Sequence, residues 1–339
     1  MEIINDNSLN KNLLNLIKSK YILKQIFNHL KNKALLQIIR YNKNLQKKLN
    51  KTKTHYKREY LNIIIEIIPE ENILKNHAEI LTKKTAYFPH HGIISHGDSG
   101  YEFTFINIKK KYKSYFHIYF NDDLNNEIKR DYITEKDKVS KIKVIIDYKI
   151  KSLSRLFKRI ICIKSINFIK FKNSNINNMS HLFESCSLKK INFSNFITKN
   201  VTDMRCMFTF CYQLESIDLS KFDTCKVRNM SNMFSGCLAI KNINVSNFVT
   251  KNVMNMAYMF AECPSIEELD LSNFDTKKVI YMRWIFLSCK SLKKINIINF
   301  EPNDNVNLEG IFLFCSQIKI KCSDKFKNKL KDYKKLIFE

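Results

Sequence analysis

Apolar and polar positions follow two rhythms that alternate along the second half of the chain. In "VRNMSNMFSGC", residues 227–237, Val227, Met230, Met233, Phe234 and Cys237 fall at steps of 3, 3, 1 and 3. That is helical spacing with one buried stripe. In "LESIDLSKF", residues 214–222, Leu214, Ile217 and Leu219 are apolar while Ser216, Asp218 and Ser220 are polar. The end of that block alternates as a half-buried strand does. Asn or Asp precedes the first Met at Asn178, Asp203, Asn229 and Asn255, which suits a turn or a helix start. The pattern predicts a unit of one short strand plus one short helix or irregular helical turn.

The unit recurs. Met179, Met204, Met230, Met256 and Met282, followed by Leu308, are separated by steps of 25, 26, 26, 26 and 26. A Phe column runs in phase at Phe183, Phe208, Phe234, Phe260, Phe286 and Phe312, and a Cys column at Cys186, Cys211, Cys237, Cys263, Cys289 and Cys315. A closing Phe recurs at Phe196, Phe222, Phe248, Phe274 and Phe300. An upstream copy, "LFKRIICIKSINFIKF" (156–171), has Ile160 at the Cys position. One unit cannot bury its apolar face alone, but stacked copies can. The sequence therefore predicts an α/β solenoid of about six to seven 26-residue coils with a parallel sheet on one side. Met, Phe and Cys would form internal ladders, with Cys packing as a small hydrophobe. Two alternatives for the sulfur row are metal binding and disulfides between neighbouring coils. A single column cannot surround a tetrahedral ion, and no Cys-x-x-Cys occurs. The close spacing of stacked coils would allow disulfides.

These residues resemble the BspA-type leucine-rich repeats, also called the DUF285 or surface protein 26-residue repeat family. "NVTDMRCMFTFCYQLESIDLSKFDT" (200–224), "KVRNMSNMFSGCLAIKNINVSNFVT" (226–250) and "NVMNMAYMFAECPSIEELDLSNFDT" (252–276) follow that family's pattern almost position for position. The resemblance covers about residues 155–318. It implies a leucine-rich-repeat solenoid used for protein–protein contact, and many bacterial members are surface adhesins. Residues 19–50, with Ile22, Ile26, Phe27, Leu30, Leu35, Leu36 and Ile39 at amphipathic spacing, resemble an F-box. That resemblance implies docking on the adaptor of a cullin-type ubiquitin ligase; the other reading is a helical packing module.

The expected organisation is a helical segment over 1–54, a small α/β or β-hairpin capping region over 55–150, the solenoid over 151–322, and a C-terminal capping helix over 323–339. Alternating aromatics in "YEFTFINIKKKYKSYFHIYFND" (101–122) suggest a β-hairpin, and "DDLNNEIKRDYITEKDK" a charged loop or helix. "FPHHGIISHGDSG" (88–100) gathers His90, His91, His96 and Asp98. These are metal-ligand types, but a surface loop between strands is the favoured reading.

Composition sharpens this picture. The net charge is +26, yet residues 179–318 carry only +2 and residues 319–339 carry +5, which leaves +19 in residues 1–178. No zinc-finger or RNA-binding motif accompanies the charge, so nucleic acid is not the expected partner. No run of 18 apolar residues exists and the N-terminus lacks a secretory h-region. A cytoplasmic monomer with reduced thiols is expected, with the cell surface as the alternative. No nucleophile elbow, P-loop, dinucleotide fingerprint or zinc-protease motif occurs. The expectation is thus a non-enzymatic scaffold without cofactor or metal, binding a protein. The alternatives are a ubiquitin-ligase substrate receptor and a cell-surface adhesin. Two outward columns are candidate contact surfaces: the polar strand ladder Asn192, Asp218, Asn244, Asp270 and Asn296, and the column His181, Cys206, Asn232, Tyr258 and Trp284, in which Tyr258 and Trp284 would be neighbours.

Overall fold

The computed structural model describes residues 22, 43–48, 62–70, 93–95, 101–134, 136–147, 149–171, 175–333 and 336–339. The chain forms two compact units, Met1–Asn62 and Ile63–Glu339. In the first, Ile22 and the short helix α1 (Lys43–Lys48) are described, and Leu45 is buried. The F-box-like stretch 19–50 otherwise lies outside the described residues, as does the loop bearing His90, His91, His96 and Asp98.

In the second unit, a β-rich cap leads into a β-solenoid. The cap contributes β1 (Ile63–Pro69), β2 (Ile93–Ser95), β3 (Tyr101–Thr104), β4 (Phe116–Phe120), β5 (Tyr132–Thr134) and β6 (Ile142–Ile146). The first coil supplies β7 (Ile163–Phe171), and the next supplies β8 (Ile191–Asn192). One sheet runs in the order β4-β6-β1-β7-β8. In β1 every second residue is buried, so its Ile63, Ile65 and Ile67 reach the core. The strand β7 pairs antiparallel with β1 on one edge and parallel with β8 on the other. It therefore joins the antiparallel cap to the parallel stack, and β1 covers the edge that β7 would otherwise present at that end of the solenoid.

The region 101–122 is not a hairpin. Strand β3 pairs with β2 and β5, whereas β4 pairs with β6 in the other sheet. A 3-10 helix, Lys110–Tyr115, separates them in place of a tight turn. The stretch expected as a charged loop or helix contains β5.

At the far end, β9 (Glu268–Asp270), β10 (Lys294–Ile297), β11 (Ile318–Cys322) and β12 (Leu336–Phe338) form a parallel sheet in the order β12-β11-β10-β9. The tail is only partly helical: α2 spans Asp324–Lys329, capped by the Ser323 hydroxyl accepting from the Phe326 N–H, and β12 follows. Phe326 lies edge-on to Phe300, and Tyr333 edge-on to Phe312, so each apolar ladder ends under an aromatic ring.

Inside the coils the ladders are continuous. The rings of Phe157, Phe183, Phe208, Phe234, Phe260, Phe286 and Phe312 stack at centroid spacings of 5.6, 5.7, 5.6, 5.7, 6.0 and 5.2 Å, all within 13° of parallel. The five Met residues of the first column are fully buried. The Cys column has a second task besides filling space. From Cys211 onward each thiol donates to the carbonyl of the Phe in the coil before it: Cys211 to Phe183 at 3.1 Å, Cys237 to Phe208 at 3.2 Å, Cys263 to Phe234 at 3.1 Å, Cys289 to Phe260 at 3.1 Å and Cys315 to Phe286 at 3.0 Å. The carbonyls of Phe183, Phe208 and Phe234 also accept the N–H of the Cys in their own coil, as in Cys211 N–H to Phe208 O at 3.1 Å. None of the ten cysteines is in a disulfide.

A further ladder is polar. Thr198, Thr224, Thr250 and Thr276 are buried, and each meets the backbone of the next coil. The Thr224 hydroxyl donates to Val249 O at 3.1 Å and accepts from Val249 N–H at 2.7 Å. Replacing Thr224 by the isosteric Val would remove the side-chain partner of both Val249 backbone groups at a part-buried position. The expected cost is about 1–2 kcal/mol in urea denaturation. A change within about 0.5 kcal/mol would show that the hydroxyl serves only as volume.

Candidate interaction surface

The segment from each Met to the following Cys is the corner of the coil, and it is not helical. It is a run of overlapping four-residue turns. The Leu182 N–H donates to Met179 O at 3.3 Å and the Cys186 N–H to Phe183 O at 3.1 Å. The third residues of these turns, His181 and Ser185, have φ of 58° and 57°. Positive φ there is the signature of a type II turn. The same two positions are left-handed in every coil: Arg155 and Arg159, His181 and Ser185, Cys206 and Phe210, Asn232 and Gly236, Tyr258 and Glu262, Trp284 and Ser288, Gly310 and Phe314. Outside glycine this region costs roughly 1–2 kcal/mol per residue. The return is hydrogen bonding. With the peptide so turned, alternate N–H groups point along the solenoid axis and reach the next coil. Examples are Cys206 N–H to Ser231 O at 2.9 Å, Trp284 N–H to Glu309 O at 2.8 Å and Glu262 N–H to Leu287 O at 2.7 Å.

This geometry changes the reading of the column His181, Cys206, Asn232, Tyr258 and Trp284. Its members do not project freely. Each is half-buried because a left-handed residue lays its side chain along the axis, over the next coil. Trp284 covers Gly310 so closely that a Cβ there would stand 2.3 Å from Trp284 Cδ1, so only glycine fits beneath the indole. Phe210 covers Gly236 in the same way. Tyr258 and Trp284 are neighbours, with ring centroids 4.9 Å apart and planes tilted by 31°. The Arg283 guanidinium carbon lies 4.6 Å from the Trp284 ring and 5.9 Å from the Tyr258 ring. The same coils expose Met254 (47%), Tyr281 (50%), Leu313 (42%) and Phe314 (68%).

Toward the first coils the corner face becomes charged. Arg155, Lys158, Arg159 and Arg205 occupy it, with Glu184 accepting from Lys158 at 2.8 Å and pairing with His181 at 2.6 Å. Burial pushes the His181 imidazole below its ordinary pKa, against the pull of Glu184.

The polar strand ladder is exposed along Asn192, Asp218, Asn244 and Asp270, and half-exposed at Asn296. Its side-chain oxygens already have partners. Each accepts the N–H two residues on: Ser194 at 2.9 Å, Ser220 at 2.9 Å, Ser246 at 3.0 Å, Ser272 at 2.9 Å and Ile298 at 3.3 Å. These are Asx turns, which end the strand and start the next bend. The bond from Ser220 holds the Asp218 carboxyl below the usual carboxylate range. The Asn or Asp before each Met does the same for the corner, as in Asn229 accepting from Ser231 at 3.0 Å.

Sequence reasoning missed the Thr ladder and the second left-handed column. The Thr signal was visible, because "FIT", "FDT", "FVT" and "FDT" end successive strand blocks. Among the described residues, no cluster of three or more His, Cys, Asp or Glu side chains could hold a metal ion, and no helix is long and apolar enough to cross a membrane.

No curated protein and no solved structure matches this chain. A profile described as a Mycoplasma protein of unknown function, DUF285, matches residues 151–269 and 237–337. These ranges take in the whole solenoid and its C-terminal cap, more than half of the 339 residues, and the chain belongs to the DUF285 family.

Proposed function

We propose that this protein is a non-enzymatic scaffold that binds another protein through the corner face of its last coils. The cluster of Tyr258, Trp284 and Arg283 carries the proposal. Tyr, Trp and Arg are the residue types that dominate binding energy at protein interfaces. Here they are fixed before any partner arrives, because inter-coil hydrogen bonds hold Tyr258 and Trp284 in left-handed backbone. Such preorganisation lowers the entropic cost of binding. The flanking Met254, Tyr281, Leu313 and Phe314 widen the apolar area, and Arg283 supplies one cation. A partner segment with an apolar side chain for the rings and a carboxylate for Arg283 fits this chemistry. The polar strand ladder is the weaker candidate, since its side-chain oxygens already close turns.

The test is affinity capture with the full chain, followed by titration of each captured protein. A partner that uses this face loses about 30-fold or more in affinity for Trp284→Ala, a loss of roughly 2 kcal/mol. It keeps its affinity for Asn244→Ser. Equal binding to wild type and to Trp284→Ala by every captured protein would reject the proposed face.

A further inference from the structure

The joint between the cap and the first coil holds a pocket that the scaffold reading does not use. Its volume is ≈ 490 Å³, and its wall includes Thr104, Asn107, Lys109, Asp131, Arg155 and Arg159. Arg155 and Arg159 are the first pair of left-handed corner residues, with φ of 66° and 60°. Their backbone is fixed from both sides. Their N–H groups donate to Ser180 O at 3.1 Å and Glu184 O at 2.7 Å in the next coil. On the cap side, Asn107 Nδ2 donates to Arg155 O at 3.2 Å and Lys158 O at 2.8 Å. Neither guanidinium is ion-paired among the described residues. Lys158, which also lines the pocket, is already paired with Glu184. Among the described lining residues, the cations without an ion-pair partner are thus Arg155, Arg159 and Lys109, against the carboxylate of Asp131. Lys110, Lys111 and Lys113 follow directly after Lys109.

We infer that this pocket binds a compact small molecule bearing two linked phosphoryl groups. A guanidinium presents a planar fork that matches phosphate oxygens in bidentate fashion. Two forks on consecutive turn corners provide one for each phosphoryl group, and Lys109 adds a point charge. The cap-to-coil bonds of Asn107 fix the backbone that carries the forks, while the exposed guanidinium groups stay free to turn onto the ligand. This inference is independent of the aromatic face, which lies on the last coils.

The experiment is titration of the full chain with inorganic pyrophosphate at constant ionic strength, by calorimetry and thermal shift. The variants are Arg155→Gly and Arg159→Gly, with Lys277→Ala/Lys278→Ala as a control for lost charge. Glycine suits a left-handed residue, so the arginine variants should melt at or above the wild-type temperature. Pyrophosphate affinity should fall about tenfold or more in each and stay unchanged in the lysine control. Equal affinity in the arginine variants overturns the assignment, as does a thermal shift no larger than that from chloride at the same ionic strength. A phosphoserine peptide that binds more tightly than pyrophosphate overturns the small-molecule form.

Discussion

Raising the pH from 8 to about 10.5 should unfold the solenoid steeply, and the ladder thiols should be the cause. Burial holds Cys211, Cys237 and Cys289 well above the ordinary thiol value of 9.0 and pushes Cys263 up to about 12. The sign follows from linkage. A raised folded-state pKa means that the folded protein keeps protons which the unfolded chain gives up above pH 9. The stabilisation is complete below that value and disappears as pH climbs toward the folded pKa. Each such thiol removes about 1.4 kcal/mol per pH unit in that window, so four together remove about 5 kcal/mol per unit. That compares with a total stability of about 5–15 kcal/mol for an ordinary domain. Lysine deprotonation works in the opposite direction, because it relieves the repulsion of a chain with a net charge of +26. Circular dichroism melts at half-unit pH steps would read the balance. A melting temperature that is flat or rising from pH 8 to 10.5 would show that the thiols are not held protonated.

The Phe234→Ala variant should lose about 3–5 kcal/mol. Phe234 is fully buried, with the Phe208 ring 5.6 Å away on one side and the Phe260 ring 5.7 Å away on the other. Its neighbours cannot collapse into the gap, because each is itself stacked and its coil is pinned by hydrogen bonds on both sides. Phe234→Leu retains most of the volume and should cost about 1–2 kcal/mol. The position predicts more than a magnitude. In a stack where each coil contacts only its neighbours, a central gap weakens the coupling between the two halves. Chemical denaturation of the Ala variant should broaden or become biphasic. A loss below about 1.5 kcal/mol with a single sharp transition would show that the ladder repacks around the hole.

The ladders were legible in the sequence because Met, Phe and Cys hold one phase over many copies, and only stacking satisfies all the columns together. The coil corner was misread for a physical reason. Overlapping turns closed by bonds between residues three apart bury nearly the same positions as a helix of 3.6 residues per turn. Glycine would have signalled the left-handed corners, but among them only Gly236 and Gly310 are glycine; the rest range from Asn232 and Ser185 to Arg155, Phe210 and Trp284, held by bonds that no local rule foresees. Strands β3 and β4 both alternate as expected, yet β3 pairs with β2 and β5 and β4 with β6, and nothing between residues 101 and 122 specifies that choice. The aromatic pair Tyr258 and Trp284 was found from its column. The arginine pocket was not, because it joins Lys109 to Arg155 across the cap.

The repetition of the same bonds at every step has a genetic meaning. Excising residues 229–254, which is 26 residues, would join Arg228 to Asn255 with every column still in phase. The Phe stack, the thiol bonds and the Thr pairs would all meet an equivalent neighbour across the new junction. A duplication of one coil would be accepted for the same reason. In-frame gain or loss of a whole coil is therefore nearly silent to the fold, whereas single-residue insertions in a corner are not. The one 25-residue step, from Met179 to Met204, omits its residue between Cys186 and Leu188, after the corner has closed. A gene for such a protein can vary its length by unequal recombination between repeats, and each product is born with its core already matched.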